Sequence, residues 1–262
     1  PYCPHCGTGL ATHEVAQEYV SEQTTTLYVP FKIKNSDTYF LAWTTTPWTL
    51  LANVALCVNP KMEYVKVLCN GKKYIVAESL LSSVFQDNEV TVLEKFLGQD
   101  LEYTEYEQLI PELDVTGKAF FVCCDEYVTA TDGTGIVHMA SAFGVDDATV
   151  CEKYGVSMLN PVGKDGCYNA GPWSGKFVFD CTDEIVSYLK ENDKLFRKQK
   201  ITHDYPHCWR CHTPLIYYTM PSYYIKVSAF KDKLVEANSK VNWFPAYVGE
   251  KRFANWLSNA KD

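Results

Sequence analysis

Two Cys-x-x-Cys pairs stand near opposite ends of this chain, Cys3-Pro4-His5-Cys6-Gly7 and Cys208-Trp209-Arg210-Cys211-His212. Each offers two thiols about one tight turn apart, the spacing that fills two corners of a tetrahedral zinc site. Compact zinc ribbons separate their pairs by roughly 15 to 20 residues, whereas about two hundred intervene here. The pairs either close on one ion around an inserted domain or belong to separate sites. One shared structural Zn2+ held by Cys3, Cys6, Cys208 and Cys211 is the expectation, with His5, His207 and His212 near enough to be alternative ligands. Four thiolates leave no position for water, so such an ion would hold the fold and take no part in hydrolysis.

The other seven of the eleven cysteines are scattered from Cys57 to Cys181, unlike the disulfide framework of a small secreted domain, and a reducing, cytoplasmic setting fits them. No apolar run approaches the roughly 18 residues that span a bilayer, and no secretion signal opens the sequence. A net charge of −8 argues against bulk electrostatic binding of nucleic acid. Any RNA contact must be local, and Lys194-Leu195-Phe196-Arg197-Lys198-Gln199-Lys200 is the candidate; a solvated helix end explains that run equally well. Pro206-His207-Cys208-x-x-Cys211 has the look of half a zinc deaminase signature, but that chemistry needs His-x-Glu, and no histidine here has glutamate two residues later.

Hydrophobic periodicity predicts strands over 24–33, 38–43, 55–58, 64–68, 73–77, 90–96, 119–123 and 135–139. Turns are expected at Asn35-Ser36-Asp37 and at Asn70-Gly71, the second marking a hairpin. Helical patterns occupy 78–85, 147–154, 182–192 and 229–239. The fold class is α+β: a β-barrel-like core with peripheral helices and a small zinc-knuckle lobe formed by the two chain ends.

Within this frame, Trp43-Thr44-Thr45-Thr46-Pro47-Trp48-Thr49, with Asn53 four residues on, follows the strand-like run Asp37 to Ala42. Pro47 lacks an N–H and turns the chain, leaving hydroxyls and backbone groups free to face a ligand. A second segment, Asp132-Gly133-Thr134-Gly135-Ile136-Val137-His138, delivers a histidine from a glycine turn, and Gly144-Val145-Asp146-Asp147 then opens a helix. Asp146 or Asp147 is expected to cap that helix.

Together these segments resemble the editing (CP1) domain of class I isoleucyl-tRNA synthetases, of the eukaryotic cytoplasmic type. The valyl and leucyl relatives typically carry Arg-Pro-Glu where this chain has Thr46-Pro47-Trp48. The resemblance covers nearly the whole chain, including the tail Val248 to Leu257. It departs from the family at Ser141, at Tyr223 and at Leu51-Ala52, none of them assigned to chemistry. The His-x-Gly-His and Lys-Met-Ser-Lys-Ser signatures of amino-acid activation are absent, so the expectation is a module that edits without charging tRNA. The implied organisation is 1–20 and 201–225 as two halves of a zinc-binding connector, 21–200 as the editing core, and 226–262 as a helical junction.

The resemblance implies hydrolysis of the ester in Val-tRNA(Ile), with valyl-adenylate as a further substrate and the rest of the synthetase as partner. Asp147 would hold the ammonium of the aminoacyl group. Thr44, Thr45, Thr46 and Thr49 would bind the ribose and orient water. His138 would meet the side chain or ribose and exclude isoleucine, while Trp48, Asn53, Gly133 and Thr134 complete the pocket. The contrasting expectation is a zinc-dependent RNA-binding module without catalysis, suggested by the cysteines and by the aromatic tail at Tyr217-Tyr218, Tyr223-Tyr224 and Trp243-Phe244.

Overall fold

The computed structural model describes residues 1–86 and 88–260, and the chain forms two units, Pro1–Thr219 and Met220–Asp262. The first unit opens with a two-residue ribbon, β1 (Tyr2–Cys3) against β2 (Thr8–Gly9), and the short helix α1 (Thr12–Val15). Then come β3 (Tyr19–Lys32), β4 (Thr38–Thr44), β5 (Ala55–Val58), β6 (Glu63–Cys69) and β7 (Lys72–Ala77). Helix α2 (Leu81–Phe85) precedes β8 (Val90–Leu97), β9 (Phe121–Cys124) and β10 (Ile136–Met139). Helices α3 (Val145–Tyr154) and α4 (Thr182–Glu191) lead to β11 (Arg197–Pro206).

Strands β3 to β11 make one curled nine-stranded sheet that forks at β4. One edge of β4 pairs antiparallel with β3, from Leu27↔Thr44 to Lys32↔Tyr39. The other edge is shared: its first half pairs parallel with β7, and its end pairs parallel with β10 at Trp43↔Val137. Two branches diverge from that point, β7-β6-β8 and β10-β5-β9. Buried apolar side chains including Leu27, Val29, Phe31, Phe40, Leu56 and Val65 fill the sheet's inner face. Truncating one such ring, Phe40→Ala, would cost about 3–5 kcal/mol.

The glycine turn before His138 sits in the crotch of the fork. The Ala77 N–H donates to the Thr134 carbonyl at 2.9 Å, and the Tyr64 hydroxyl donates to the Gly135 carbonyl at 2.7 Å. A Cβ on Gly135 would lie 2.4 Å from the Ala77 Cβ, and its φ of +72° is one that L side chains rarely adopt. Only glycine lets the two branches close here. The Asn70-Gly71 turn has positive φ at both residues, as a two-residue hairpin loop requires, and joins β6 to β7 at Cys69↔Lys72.

Three expectations are corrected. The basic run at 194–200 is a helix end only at its first residue, where the Lys194 N–H donates to the Leu189 carbonyl at 2.7 Å behind α4; from Arg197 it is strand β11, which pairs with β3 over ten residues from Arg197↔Tyr28 to Pro206↔Tyr19. Backbone pairing decides this, because β11 is polar and half-exposed and shows little apolar alternation. Neither Asp146 nor Asp147 caps α3; the N-cap is Gly144, and the two carboxylates lie in the first turn. The helix expected over 78–85 is a 3-10 turn, Glu78–Leu80, followed by α2. Pro30 is accommodated in β3 because it lies beyond Tyr28, the last residue paired with β11, where no N–H is needed.

The second unit contains α5 (Lys231–Ser239), a π turn at Val248–Phe253 and α6 (Ala254–Ser258). Asn238 ties it together, donating to the Gly249 carbonyl at 3.1 Å and accepting from the Trp243 indole at 2.9 Å. Residues 261 and 262 of the expected helical junction lie outside the described residues.

Candidate functional site

The chain leaves β4 at Thr44 and enters a 3-10 turn, Pro47–Ala52, with proline at the first position, where its fixed φ suits the turn and its missing N–H costs nothing. This bend folds the threonines back on one another. The Thr46 N–H donates to Thr44 Oγ1 at 3.1 Å, and Thr46 Oγ1 lies 3.4 Å from Thr44 Oγ1 and 3.1 Å from Thr49 Oγ1. Thr49 Oγ1 donates to the Thr46 carbonyl at 2.8 Å.

Strand β10 carries His138 to the same place. Its Nε2 is 2.8 Å from Thr49 Oγ1, and its Nδ1 is 3.2 Å from the Asn53 amide nitrogen. Asn53 Nδ2 also donates to the Ala55 carbonyl at 2.9 Å, and the Tyr106 hydroxyl donates to Asn53 Oδ1 at 2.7 Å. Burial pushes the imidazole's pKa down to about 4, so His138 is neutral at physiological pH.

Asp147 is anchored close by in the chain. Its Oδ2 accepts the Ala140 N–H at 2.8 Å, and Ala140 is two residues beyond His138 on the same extended segment. Burial lifts the Asp147 carboxyl to about 6; the Ala140 hydrogen bond opposes the rise and the Asp146 charge adds to it. Asp146 itself is exposed.

Beside the threonine turn is a cavity of about 570 Å³. Thr45, Thr46, Pro47 and Trp48 form one wall, Glu22 to Thr25 of β3 another, and Lys198, Lys200 and Tyr205 of β11 a third. Of the expected substrate-contacting groups, Thr45, Thr46 and Trp48 line this space. Thr44, Thr49, Asn53 and His138 are buried and make the hydrogen-bonded layer attached to it. Gly133 instead lines a second depression of about 330 Å³ with Trp43 and Tyr127. Thr134 is buried, its hydroxyl spent on the backbone of Ile136. Sequence reasoning missed Thr24, Thr25 and Tyr205 as lining residues; only the pairing of β3 with β11 brings them there.

The two cysteine pairs meet. All four Sγ atoms lie within 4.8 Å of one another, with Cys3 to Cys211 at 3.4 Å and Cys6 to Cys208 at 3.9 Å. Metal–sulfur bonds of about 2.3 Å at tetrahedral angles place sulfurs roughly 3.8 Å apart, so the four thiols fit a zinc ion. Both knuckles close alike: Gly7 N–H donates to the Cys3 carbonyl at 2.9 Å and His212 N–H to the Cys208 carbonyl at 2.8 Å. Gly7 and His212 both have positive φ, as that turn demands. His207 and His212 are turned away toward Glu22 and Glu18, and the sulfur cluster contains no histidine.

A forked, curled sheet bearing a threonine turn, a neutral histidine and an anchored carboxylate, closed at its ends by a cysteine cluster, defines a class of domain. The sequence profile of tRNA synthetases class I (I, L, M and V) matches residues 1–262, and the chain belongs to that family. Curated isoleucine--tRNA ligases match along its full length: that of Picrophilus torridus is 48% identical over 264 residues, that of Clostridium kluyveri 45%, and that of Thermoplasma acidophilum 46% over 265 residues. The chain spans about a quarter of those relatives, 25% to 26% of their length. Among solved structures, GlLeuRS-CP1 aligns with a TM-score of 0.53 at 19% identity, covering 67% of this chain and 98% of that one. The cytosolic leucyl-tRNA synthetase editing domain of P. falciparum aligns with a TM-score of 0.53 at 13% identity, covering 66% and 98%. At those identities the likeness is one of fold.

Proposed function

We propose that this chain is the editing module of an isoleucine--tRNA ligase and hydrolyses the aminoacyl ester of Val-tRNA(Ile), with valyl-adenylate as a second substrate of the same pocket. The observation that carries the reading is the threonine turn, whose Thr46 faces the cavity with Thr44 and Thr49 hydrogen-bonded behind it, backed by neutral His138. Such a module answers a limit of binding. One methylene in an apolar pocket discriminates only about 10- to 200-fold; the isoleucine–valine pair is the standard instance of that limit, and the figure belongs to it, not to these residues.

Asp147 binds the substrate ammonium, and the pairing fixes the ester. Thr45 and Thr46 hold the terminal ribose and a water, with Thr44 and Thr49 behind them. An ester needs less nucleophile activation than an amide, so positioned water and polarised carbonyl suffice without a covalent intermediate. His138 is not the base: both ring nitrogens are already engaged and its pKa is far below neutrality. It serves instead, from behind Thr49, to hold rigid the wall that excludes the larger isoleucyl side chain, a wall that includes Trp48. Gly133 and Thr134 act one step removed, by setting where β10 begins.

Lys198 and Lys200 supply the local positive charge on which an acidic chain can seat RNA phosphate. Zinc on Cys3, Cys6, Cys208 and Cys211 fastens the two chain ends, a purely structural service. The remainder of the ligase is the partner that presents the tRNA, and the setting is cytoplasmic. The test is deacylation of Val-tRNA(Ile) beside Ile-tRNA(Ile) by this chain and by Asp147→Ala. Selective release of valine, lost in the variant, is expected. RNA binding without release of either amino acid would replace the reading with a non-catalytic RNA-binding module.

A further inference from the structure

We propose that Gly144 is a positioning residue: the space left by its missing Cβ is the seat of the Asp147 carboxylate, and any side chain at 144 would turn that carboxylate away from Ala140. A Cβ on Gly144 would lie 2.9 Å from Asp147 Cγ and 3.2 Å from each carboxylate oxygen, well inside the roughly 3.5–4.0 Å at which non-bonded carbons rest. The backbone does not ask for glycine here. Gly144 has φ −149° and ψ 142°, extended values open to every residue, unlike the positive φ of Gly133 and Gly135. Helix capping does not ask for it either, since serine, threonine, aspartate or asparagine would serve as well or better at this N-cap and glycine brings no side-chain oxygen. What glycine alone provides is room for the carboxylate.

The seat accounts for the direction in which Asp147 reaches. Asp147 is the third residue of α3, and a carboxylate at that position ordinarily turns back to the N–H of the N-cap residue. Here Oδ2 accepts instead from Ala140, four residues before the N-cap. The chain turns in between, with the Phe143 N–H donating to the Ala140 carbonyl at 2.9 Å, and the carboxylate reaches Ala140 by lying against Gly144. Aspartate is short, so a Cβ in its way is relieved by rotating the carboxylate about its own Cα–Cβ bond to another staggered position, with the fold left in place. Exposed Asp146 on the same turn shows that water is close at hand. Of the ionisable groups that feel the Asp147 charge, Tyr127 and Cys151 are held protonated by burial, and Asp146 is the remaining carboxylate.

The catalytic meaning of this seat rests on the editing reading above, but the seat itself is tested without it. Gly144→Ala brings the Cβ alone; Gly144→Ser brings it with a hydroxyl that is favoured at an N-cap, and carries the test if the alanine variant fails to fold. In both, carboxyl ¹³C NMR should show Asp147 titrating in the ordinary aspartate range, about 4, where the unmodified chain titrates at about 6. The Ala140 amide proton should move upfield as its acceptor leaves. Asp147→Ala gives the assignment, and in that background a change at 144 should add nothing further at Ala140, because two residues acting through one contact are not additive. A titration still near 6 in the folded variant, an additive effect at Ala140, or failure of both variants to fold overturns the proposal. Deacylation is the separate arm: with both carboxylates ionised, Gly144→Ala should lower kcat/KM on Val-tRNA(Ile) by about a hundred-fold and leave the residual activity of Asp147→Ala unchanged. A displaced carboxylate with unaltered kcat/KM would uphold the seat and remove Asp147 from the ammonium role.

Discussion

Asp147 Oδ2 accepts a 2.8 Å hydrogen bond from the N–H of Ala140, so a carboxylate from the first turn of α3 is held against the strand that carries His138. The carboxylate is retained despite burial that lifts its pKa to about 6. Asp147 is not among the residues lining the cavity beside the threonine turn, so the ammonium role proposed for it requires the substrate to reach past that wall.

Activity should therefore follow the ionisation of Asp147. If the charged form binds the ammonium as proposed, kcat/KM for Val-tRNA(Ile) is expected to rise with pH through about 6 and to level off above. Asp147→Asn keeps the acceptor for Ala140 but removes the charge. Its rate should fall by the equivalent of about 2–5 kcal/mol and lose that pH step. A variant that retained the step would place the titrating group elsewhere.

Stability should respond in the opposite sense, because Asp147 and His138 are perturbed in opposite directions. His138 has its folded pKa depressed from 6.5 to about 4, so its contribution is present above 6.5 and is lost as pH falls through 4. Asp147 has its folded pKa raised from 3.8 to about 6, so its contribution is present below 3.8 and is lost as pH rises through 6. Between about pH 4 and pH 6 each changes stability by roughly 1 kcal/mol per pH unit, with opposite signs. In Asp147→Asn the offset disappears. Denaturant unfolding across that window should show the variant gaining on the unmodified chain by roughly 1 kcal/mol per pH unit as pH rises; parallel curves would contradict the burial of Asp147.

Much of this architecture is legible in the sequence. Strand β5 falls on 55–58 as its apolar run predicts, and Asn70-Gly71 marks its hairpin. The cysteine pairs announce a meeting across two hundred residues because thiol chemistry leaves few other uses for that spacing. β11 is hidden, since a half-exposed, polar strand shows little apolar alternation and takes its order from backbone pairing. Tyr106 is hidden for another reason. It is one of eighteen tyrosines, and nothing local to it reports that the fold carries its hydroxyl to an asparagine fifty-three residues away. Gly133-Thr134-Gly135 is legible as a turn, but its role at the sheet fork depends on Ala77, which no motif connects to it.

The cysteine cluster predicts one metal ion per chain. Elemental analysis should find one zinc, and cobalt in its place should give the spectrum of a four-thiolate tetrahedral site. Cys208→Ser should abolish stoichiometric binding, and so should Cys3→Ser, because the ligands come from both chain ends. Binding that survived either single substitution would mean two independent sites. Chelation should loosen the ends while sparing the core near His138, which has its own buried apolar packing.

Lys198 and Lys200 project from alternate positions of β11 into the same cavity wall, yet they are not equivalent. Lys198 Nζ lies 3.2 Å from the Asp183 carboxylate, which offsets its charge. Lys200 has no ion-pair partner among the described residues, so its charge is the one free to meet a phosphate of an RNA 3′ end. For a single-stranded contact, each neutralised phosphate contributes about −0.7 to the slope of log affinity against log salt. Lys200→Ala should make that slope shallower by about this amount and weaken binding of an acceptor-stem RNA whatever its sequence. Lys198→Ala should do less of both, since it also frees Asp183. Equal effects from the two would show that the Asp183 pair breaks on binding, and no change of slope in either would remove β11 from the RNA path.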